Sequence, residues 1–300
     1  MTWIMKSIWD SAIGLLLITG GLLGLTLPFG KLAGAAGISP PLWAFVISLG
    51  AGGVLLVYML ASGQQMRFDS GRLRYFTIAA AISYAIPNLL MFSAIPHLGA
   101  GYTGIMFTLS PVITLMLSVL FGVRKPTRLG MAGIAVGFVG ALIVAWTRGE
   151  AGRPADLFWV VMGLLIPLSL AAGNIYRTVD WPKNAGTTEL AVGSHLAAAL
   201  LLAIIILARG DFANAGLLVA SPLLVAAQMA ASALMFFFFF RLQSVGGPVY
   251  LSQIGYVGAA VGLISGVLFL GESYGLVTWL GAAVITVGIV MTTKAQMNGS

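Results

Sequence analysis

Three features of the 300-residue sequence predict an all-α membrane protein of ten transmembrane helices, arranged as two inverted five-helix repeats. Hydrophobic residues make up 59% of the chain and charged residues only 8%, whereas soluble domains contain about 25% charged residues. The apolar residues form runs of about 20, the length that crosses a bilayer. An eleven-residue segment occurs twice, at 129–139 and 280–290, with seven identical positions. We therefore expect residues 1–150 to form the first repeat and residues 151–300 the second.

Ten apolar runs are long enough to be spans, and no intervening loop is long enough to form a separate domain. Turn-forming and charged clusters separate the runs, as at 63–71 and 148–154. The apolar first run is long enough to remain in the bilayer, so we interpret it as a helix and not as a cleaved signal peptide. The predicted spans are 11–31, 41–62, 72–95, 100–122, 128–147, 157–177, 188–208, 220–241, 246–270 and 275–293.

The distribution of basic residues predicts the orientation. Ten spans place both termini on one side of the membrane, and eleven of the fifteen Lys and Arg residues lie on that side. Because cytoplasmic loops carry the excess of basic residues, we expect both termini in the cytoplasm. The basic residues are spread over short loops, which does not indicate nucleic-acid binding. The expected partners are the lipid bilayer and a small-molecule substrate, with a monomer as the simplest assembly.

The relationship between the two halves predicts inverted repeats. Each half contains five spans, and since five is odd, the second half must enter the membrane upside down. Matching the halves sets Lys31 against Arg177 and leaves Val123 opposite Glu272. Such repeats are typical of secondary transporters, in which the two halves enclose a site near the bilayer midplane and expose it to each side in turn.

The sequence contains no catalytic pattern. It has no cysteine, no metal-binding histidine pair, no nucleophile–base arrangement and no phosphate-binding loop. We therefore expect no enzyme activity, no cofactor and no metal. The acidic residues fall in loops or near span ends, and among Asp, Glu and His residues only His195 is placed clearly inside a span. A carrier without an intramembrane carboxylate is predicted to work by facilitated diffusion, because proton-coupled carriers usually keep such a group.

Polar and aromatic residues inside the spans predict a central, uncharged cavity bounded by helices 1, 3, 4, 6, 8 and 9. An unpaired polar group in hydrocarbon costs several kcal/mol, so these side chains should face the protein interior. Helix–helix hydrogen bonding and interfacial aromatic belts are the alternative explanations. The candidate substrate-binding residues are Tyr84, Asn88, Met91, Tyr102, Trp159, Gln228, Tyr250, Gln253 and Tyr256.

Four prolines inside the spans predict hinges. Each removes an N–H and frees the carbonyl four residues earlier, so it bends the helix unless another group satisfies that carbonyl. These residues are Pro28, Pro87, Pro111 and Pro167, with static packing bends as the alternative. A separate run of five phenylalanines, at 236–240, covers every face of a helix. We interpret this run mainly as lipid contact.

Several segments resemble the EamA-like branch of the drug/metabolite transporter superfamily. They are residues 94–101, the Leu-Ser-Pro-Val motif at 109–112, and the Leu-Gly-Glu motif at 270–272. Residues 252–257 are similar to the branch of aromatic amino-acid exporters of the YddG type. The resemblance implies a location in the bacterial inner membrane and export of small neutral metabolites, mainly amino acids including aromatic ones. An exporter of multiple drugs or cationic compounds, or a channel-like facilitator, is the alternative.

Overall fold

The computed structural model describes residues 11–123, 127–149 and 154–297, and no β-strand occurs within these ranges. We number the long helices α1 to α10. Between α7 and α8 lies a short helical segment, Asp211–Ala220. The long helices are α1 (Ala12–Ala35), α2 (Pro40–Ala61), α3 (Ser70–Leu98), α4 (Ala100–Leu120), α5 (Arg128–Thr147), α6 (Leu157–Val179), α7 (Thr187–Arg209), α8 (Pro222–Ser252), α9 (Ile254–Leu270) and α10 (Leu276–Met297).

The length and composition of these helices identify a multi-pass membrane protein. Eight helices of the described ranges, α1 to α8, are long and apolar enough to cross a bilayer. The apolar parts of the last two helices are shorter, at Ile254–Leu270 and Leu276–Gly288. The mean hydropathy of the whole chain is +1.02. The predicted all-helical membrane class is therefore confirmed.

Helix α3 changes register before its proline. Residues Ala80–Ala85 form a π-helical turn, and Pro87 follows in the first turn of the next α-helical section. In the i to i+5 register, the carbonyl of Ile82 would need the N–H of Pro87, which proline lacks. The Ser169 hydroxyl of α6 donates to this carbonyl instead, at 2.8 Å. The interruption in α3 is thereby tied to α6.

Helix α4 is interrupted at its centre. Its two sections are Ala100–Phe107 and Ser110–Leu120, with Pro111 in the first turn of the second. Helix α9 passes very close to this break: a Cβ at Gly255 would lie 2.7 Å from the carbonyl oxygen of Phe107. A larger residue than glycine at position 255 would therefore push α9 away from the break.

The connection between α8 and α9 differs from the sequence prediction. We expected a loop at 242–245, but α8 is helical without interruption over Pro222–Ser252. Leu242 and Gln243 are buried, and the Gln243 side-chain oxygen accepts a hydrogen bond of 3.1 Å from Arg177 Nε. The predicted loop is wrong because the helix continues through this segment, with Gln243 paired inside the bundle.

The duplicated segment forms the interface between α5 and α10. These helices pack along most of their length. A Cβ on Gly288 would lie 2.5 Å from the backbone nitrogen of Gly137, so the two helices approach at glycine on both sides. Close approach at small residues is a common packing mode in membranes. The repeated motif is therefore a packing surface and lies in a different helix pair from the cavity described below.

Candidate functional site: a central cavity

A cavity of about 70 Å³ lies at the centre of the helix bundle. It is bounded by the six helices that the sequence predicts, and Ile47 of α2 also contributes. Most lining side chains are apolar, as in most small-molecule sites. The polar lining residues are Thr26, Ser83, Tyr84, Asn88, Ser110, Asn174 and Arg177.

Of the eight predicted binding residues whose side chains are described, three line this cavity. All three lie on one side of α3. Tyr84 is within the π-helical turn, and Asn88 and Met91 follow that turn. The hydroxyls of Tyr84 and its neighbour Ser83 are buried and have no hydrogen-bond partner in the described part of the chain. Buried hydroxyls normally find partners. Their position in the cavity wall makes them available to a bound molecule.

Arg177 corrects the prediction of an uncharged cavity. This residue of α6 lines the cavity and is only 2% exposed. Its Nη2 donates to the Asn174 side-chain oxygen at 2.7 Å, and its Nε donates to Gln243. The guanidinium carbon lies 5.0 Å from the centre of the Phe239 ring. The sequence prediction counted Arg177 as one more basic residue near a span end, and so missed that the fold places its charge inside.

No carboxylate of the described chain pairs with Arg177. The ion pairs within those ranges join Lys31 to Glu272, Arg72 to Asp69 and Glu189, Arg74 to Asp180, and Arg209 to Asp211. Neutral amide oxygens and aromatic faces are the groups that stabilise the Arg177 guanidinium. A buried charge is costly unless it is paired, and intramembrane charges usually mark functional sites. Arg177 is thus the strongest polar feature of the cavity.

Glu272 forms a fully paired cluster where α3 ends and α4 begins. Its side chain accepts hydrogen bonds from the backbone N–H groups of Ala100 and Gly101, at 2.6 and 2.8 Å. Lys31 donates from α1 at 2.6 Å, and the Tyr274 hydroxyl donates as well. Burial alone would raise the pKa of Glu272, but these donors outweigh burial and hold the pKa below its usual value. The cluster joins α1, α4 and the end of α9.

A second paired cluster lies at the other end of α3. Glu189, at the start of α7, accepts hydrogen bonds from Arg72 Nε at 2.8 Å and from the backbone N–H of Arg67 at 3.0 Å. Asp69 caps α3 by accepting from the backbone N–H of Arg72 at 2.9 Å. That bond and the adjacent guanidinium lower the pKa of Asp69. Buried ion pairs therefore connect the helices at both ends of the bundle.

Tyr102 and Trp159 lie away from the cavity lining. The Tyr102 hydroxyl donates to the Val144 carbonyl at 2.8 Å, which joins α4 to α5. The Trp159 ring stacks on His97, with ring centres 3.9 Å apart. Both aromatic residues therefore make helix–helix contacts in this conformation.

The remaining predicted binding residues lie on α8 and α9. Gln228 donates to the Ser232 hydroxyl at 2.7 Å within α8. Gln253 is buried beside the cavity-lining Ile254, and Tyr256 packs against the apolar cluster that contains Tyr102. The Tyr250 side chain lies outside the described residues. Gln228, Gln253 and Tyr256 are not among the described residues that line the cavity, so their binding role, like that of Tyr250, stays a prediction.

The prolines divide into two kinds. Pro28 and Pro167 are buried inside the continuous helices α1 and α6. Pro87 and Pro111 instead follow the breaks in α3 and α4. The predicted hinge role therefore has a local structural basis at Pro87 and Pro111, where regular helix is already interrupted.

The phenylalanine run is mainly interior, and the prediction of lipid contact is wrong. Phe236 and Phe239 line the cavity, and Phe240 is buried. His195 is enclosed between Tyr84 and Phe236, with ring centres 4.2 and 3.9 Å away. The run is buried because α8 packs against α1 and α2 on different sides, which leaves little of this section facing outward.

Comparisons with known proteins agree with this architecture. Residues 10–146 match the model of the EamA-like transporter family. A solved structure titled only "Crystal structure of protein" has a TM-score of 0.67 and 16% sequence identity, over 95% of this chain and 97% of that one. At such identity the similarity concerns the fold alone. No curated protein sequence matches the chain. The protein is therefore a multi-pass membrane protein whose residues 10–146 are similar to the EamA-like transporter family.

Proposed function

We propose that this protein is a secondary transporter that exports small metabolites, chiefly amino acids with large apolar side chains. The observation that carries the proposal is the central cavity, which combines an apolar lining with the polar side chains of Tyr84, Asn88 and Arg177. Aromatic faces suit an apolar side chain, and the polar groups suit an amino-acid backbone. The family match at residues 10–146 supports membrane transport as the function class.

Two inverted repeats, residues 1–150 and 151–300, are the proposed basis of alternating access. The packing of the helices supports this arrangement. Helix α1 packs on α8 and α9, and its repeat mate α6 packs on α3 and α4. Helix α2 packs on its mate α7, α4 on its mate α9, and α5 on its mate α10. Each contact thus has its counterpart, as expected from a pseudo-twofold axis in the membrane plane.

We propose facilitated diffusion as the energetic mode. No carboxylate of the described chain lines the cavity, so the site lacks the usual proton-coupling group. In sealed vesicles, an imposed pH gradient should not drive accumulation of substrate against its own gradient. Accumulation driven by the pH gradient alone would contradict this mode, and His195, beside Tyr84, would then be the first residue to substitute.

The proposed orientation places both termini in the cytoplasm of a bacterial cell. The natural absence of cysteine permits a clean test. Asp156 and Lys183 are exposed near the two ends of α6. We expect Asp156→Cys to react with an impermeant thiol reagent from outside intact cells, and Lys183→Cys to react only after permeabilisation. The reverse pattern would contradict the orientation.

The function itself is tested by flux. Purified protein in sealed vesicles should exchange labelled phenylalanine or leucine at a rate that saturates with concentration and exceeds that of protein-free vesicles. Linear, non-saturating flux would instead support a channel-like facilitator. Competition by excess unlabelled amino acid should reduce the labelled flux, whereas an unrelated sugar should not.

A further inference from the structure

We infer that Arg177 binds the carboxylate of the transported molecule, so that the substrates are monocarboxylates with an apolar body, whether or not they carry an amino group. The inference rests on the proposed transport function and narrows its substrate class. It also excludes cationic compounds without an acidic group as good substrates.

The geometry leaves one side of the guanidinium available. Nε and Nη2 donate to Gln243 and Asn174, whereas Nη1 has no hydrogen-bond acceptor in the described part of the chain. A Cβ on Gly173 would lie 3.1 Å from Nη1 and 2.4 Å from the Ser83 hydroxyl oxygen. Nη1 and the Ser83 hydroxyl therefore both lie close against Gly173, and both residues line the cavity.

Besides Nη1, the cavity wall contains two hydroxyl donors. The hydroxyls of Ser83 and Tyr84 are more than nine-tenths buried and unpartnered within the described ranges, and both residues line the cavity. The guanidinium carbon lies 5.8 Å from the centre of the Tyr84 ring. A carboxylate has two oxygens that each accept hydrogen bonds, which suits one N–H and two hydroxyl donors. The arrangement thus provides a complete set of donors for a small anion.

The charge balance requires an anion. Among the described residues that line the cavity, Arg177 is the only ionisable cation or anion apart from the weakly acidic Tyr84 phenol. A bound monocarboxylate would neutralise the guanidinium and recover part of its desolvation cost. A phosphate dianion would leave a second buried negative charge unpaired. An ammonium group would find no carboxylate on the described lining, so the acid is the required group and the amine is optional.

Binding of a matched ligand series to the wild-type protein tests the inference. The series comprises phenylalanine, 3-phenylpropanoate, phenylalanine methyl ester and phenethylamine, so that the carboxylate and the amine are removed separately. Affinities are measured by intrinsic fluorescence or calorimetry in detergent. We expect the two acids to bind, and the ester and the amine to bind about 10-fold or more weakly, because they lose a charge-assisted hydrogen bond. Equal affinity for all four ligands would overturn the inference.

Two variants then assign the effect to Arg177. Arg177→Gln should weaken both acids about 10-fold or more and leave phenethylamine unchanged or tighter. Arg74→Gln is the matched control, because Arg74 is exposed near the same end of α6, pairs with Asp180 and does not line the cavity. The control should bind every ligand as the wild type does. Unchanged acid affinity in a folded Arg177→Gln protein would contradict the assignment.

Failure of this inference can be distinguished from failure of the proposed function. Saturable flux of phenylalanine with equally good flux of phenethylamine would retain the transporter and reject the carboxylate site. Selective acid binding without flux in vesicles would retain the site and reject the transport function. If Arg177→Gln does not fold, Ser83→Ala and the wild-type ligand series remain decisive, because neither removes the buried charge.

Discussion

Lys31 and Arg177 occupy matching positions in the two halves of the sequence, but they lie in very different environments. Lys31 pairs with Glu272 at 2.6 Å, inside a cluster that also contains two backbone N–H donors. Arg177 is more deeply buried and has amides and aromatic rings as its neighbours. The matched sequences explain the difference, since Val123 stands in the first half where Glu272 stands in the second.

This comparison indicates different roles for the two cations. A cation with its own carboxylate joins helices, and it contributes to stability with no need of a ligand. A cation without one lowers stability and gains a partner only when an anion binds. Lys31 therefore forms the paired contact with Glu272, and Arg177, whose predicted counterpart of that glutamate is Val123, is the proposed binding residue.

The largest expected effect is a loss of protein stability when Glu272, the partner of Lys31, is substituted. Glu272→Gln should lower the free energy of unfolding by about 1–3 kcal/mol, because the neutral amide leaves Lys31 and two buried N–H groups poorly satisfied. Thermal unfolding in detergent measures the change. Asp211→Asn, which removes the partner of the exposed Arg209, is the control and should change stability by less than about 1 kcal/mol. Equal shifts in the two variants would show that the Glu272 cluster contributes no more to stability than an exposed ion pair.

Acidification should remove the same contribution in the wild type. Because the folded-state pKa of Glu272 is lowered from 4.5, its stabilising effect is fully present above pH 4.5 and is lost as the pH falls through the folded-state pKa. The difference in melting temperature between wild type and Glu272→Gln should thus be constant near neutral pH and narrow below pH 4.5. A difference that stays constant at lower pH would contradict this origin.

Restoring the missing carboxylate should impair binding. Val123→Glu places an acid at the position that matches Glu272, where it is expected to pair with Arg177. The new carboxylate would compete with the ligand, so affinity for 3-phenylpropanoate should fall about 10-fold, which equals about 1.4 kcal/mol. Val123→Gln is the isosteric control and should bind normally. Equal affinity of the two variants would show that the sequence matching does not extend to these positions in space.

The smallest expected effect is the change in protein stability when Arg177, which pairs with no carboxylate of the described chain, is substituted. Arg177→Gln should unfold at the same temperature as the wild type or slightly above it, because removing an uncompensated buried charge relieves its desolvation. Lys31→Gln, measured in parallel, should unfold at a lower temperature, since it leaves Glu272 without its cation. A large loss of stability in Arg177→Gln alone would indicate a structural role for the guanidinium.

Helix α8 illustrates which parts of the fold could be predicted from the sequence. Its apolar composition predicts a span, and the structure contains a helix there. The burial of Phe236 and Phe239 was not predictable, because five consecutive aromatic residues have no polar face that would orient the helix. The sequence prediction also missed that helix α8 continues through Gln243. Its polarity indicates a loop, and only the partner Arg177, 66 positions earlier in the chain, makes it an interior residue.

The candidate site shows the same limit. Tyr84, Asn88 and Met91 share one face of α3 at helical spacing, and the cavity contains all three. Tyr102 and Gln228 carry an equally strong polar signal in sequence, but their partners are Val144 and Ser232. Local spacing defines a face of a helix, and it does not define whether that face meets a cavity or a neighbouring helix.

The sequence by itself determined the membrane class and most of the approximate spans, and it predicts the matching of the two halves. These properties follow from apolar run length and from local similarity, which need no knowledge of partners in space. Only the tertiary structure decided which charges are paired, because ion pairing depends on helices brought together from distant parts of the chain. Lys31 meets Glu272 across 241 positions, while no carboxylate of the described chain reaches Arg177. Because Arg177 and Glu272 are buried in a low-dielectric interior, the presence or absence of a carboxylate partner has a large energetic effect. This effect distinguishes the structural cation, Lys31, from the proposed binding cation, Arg177.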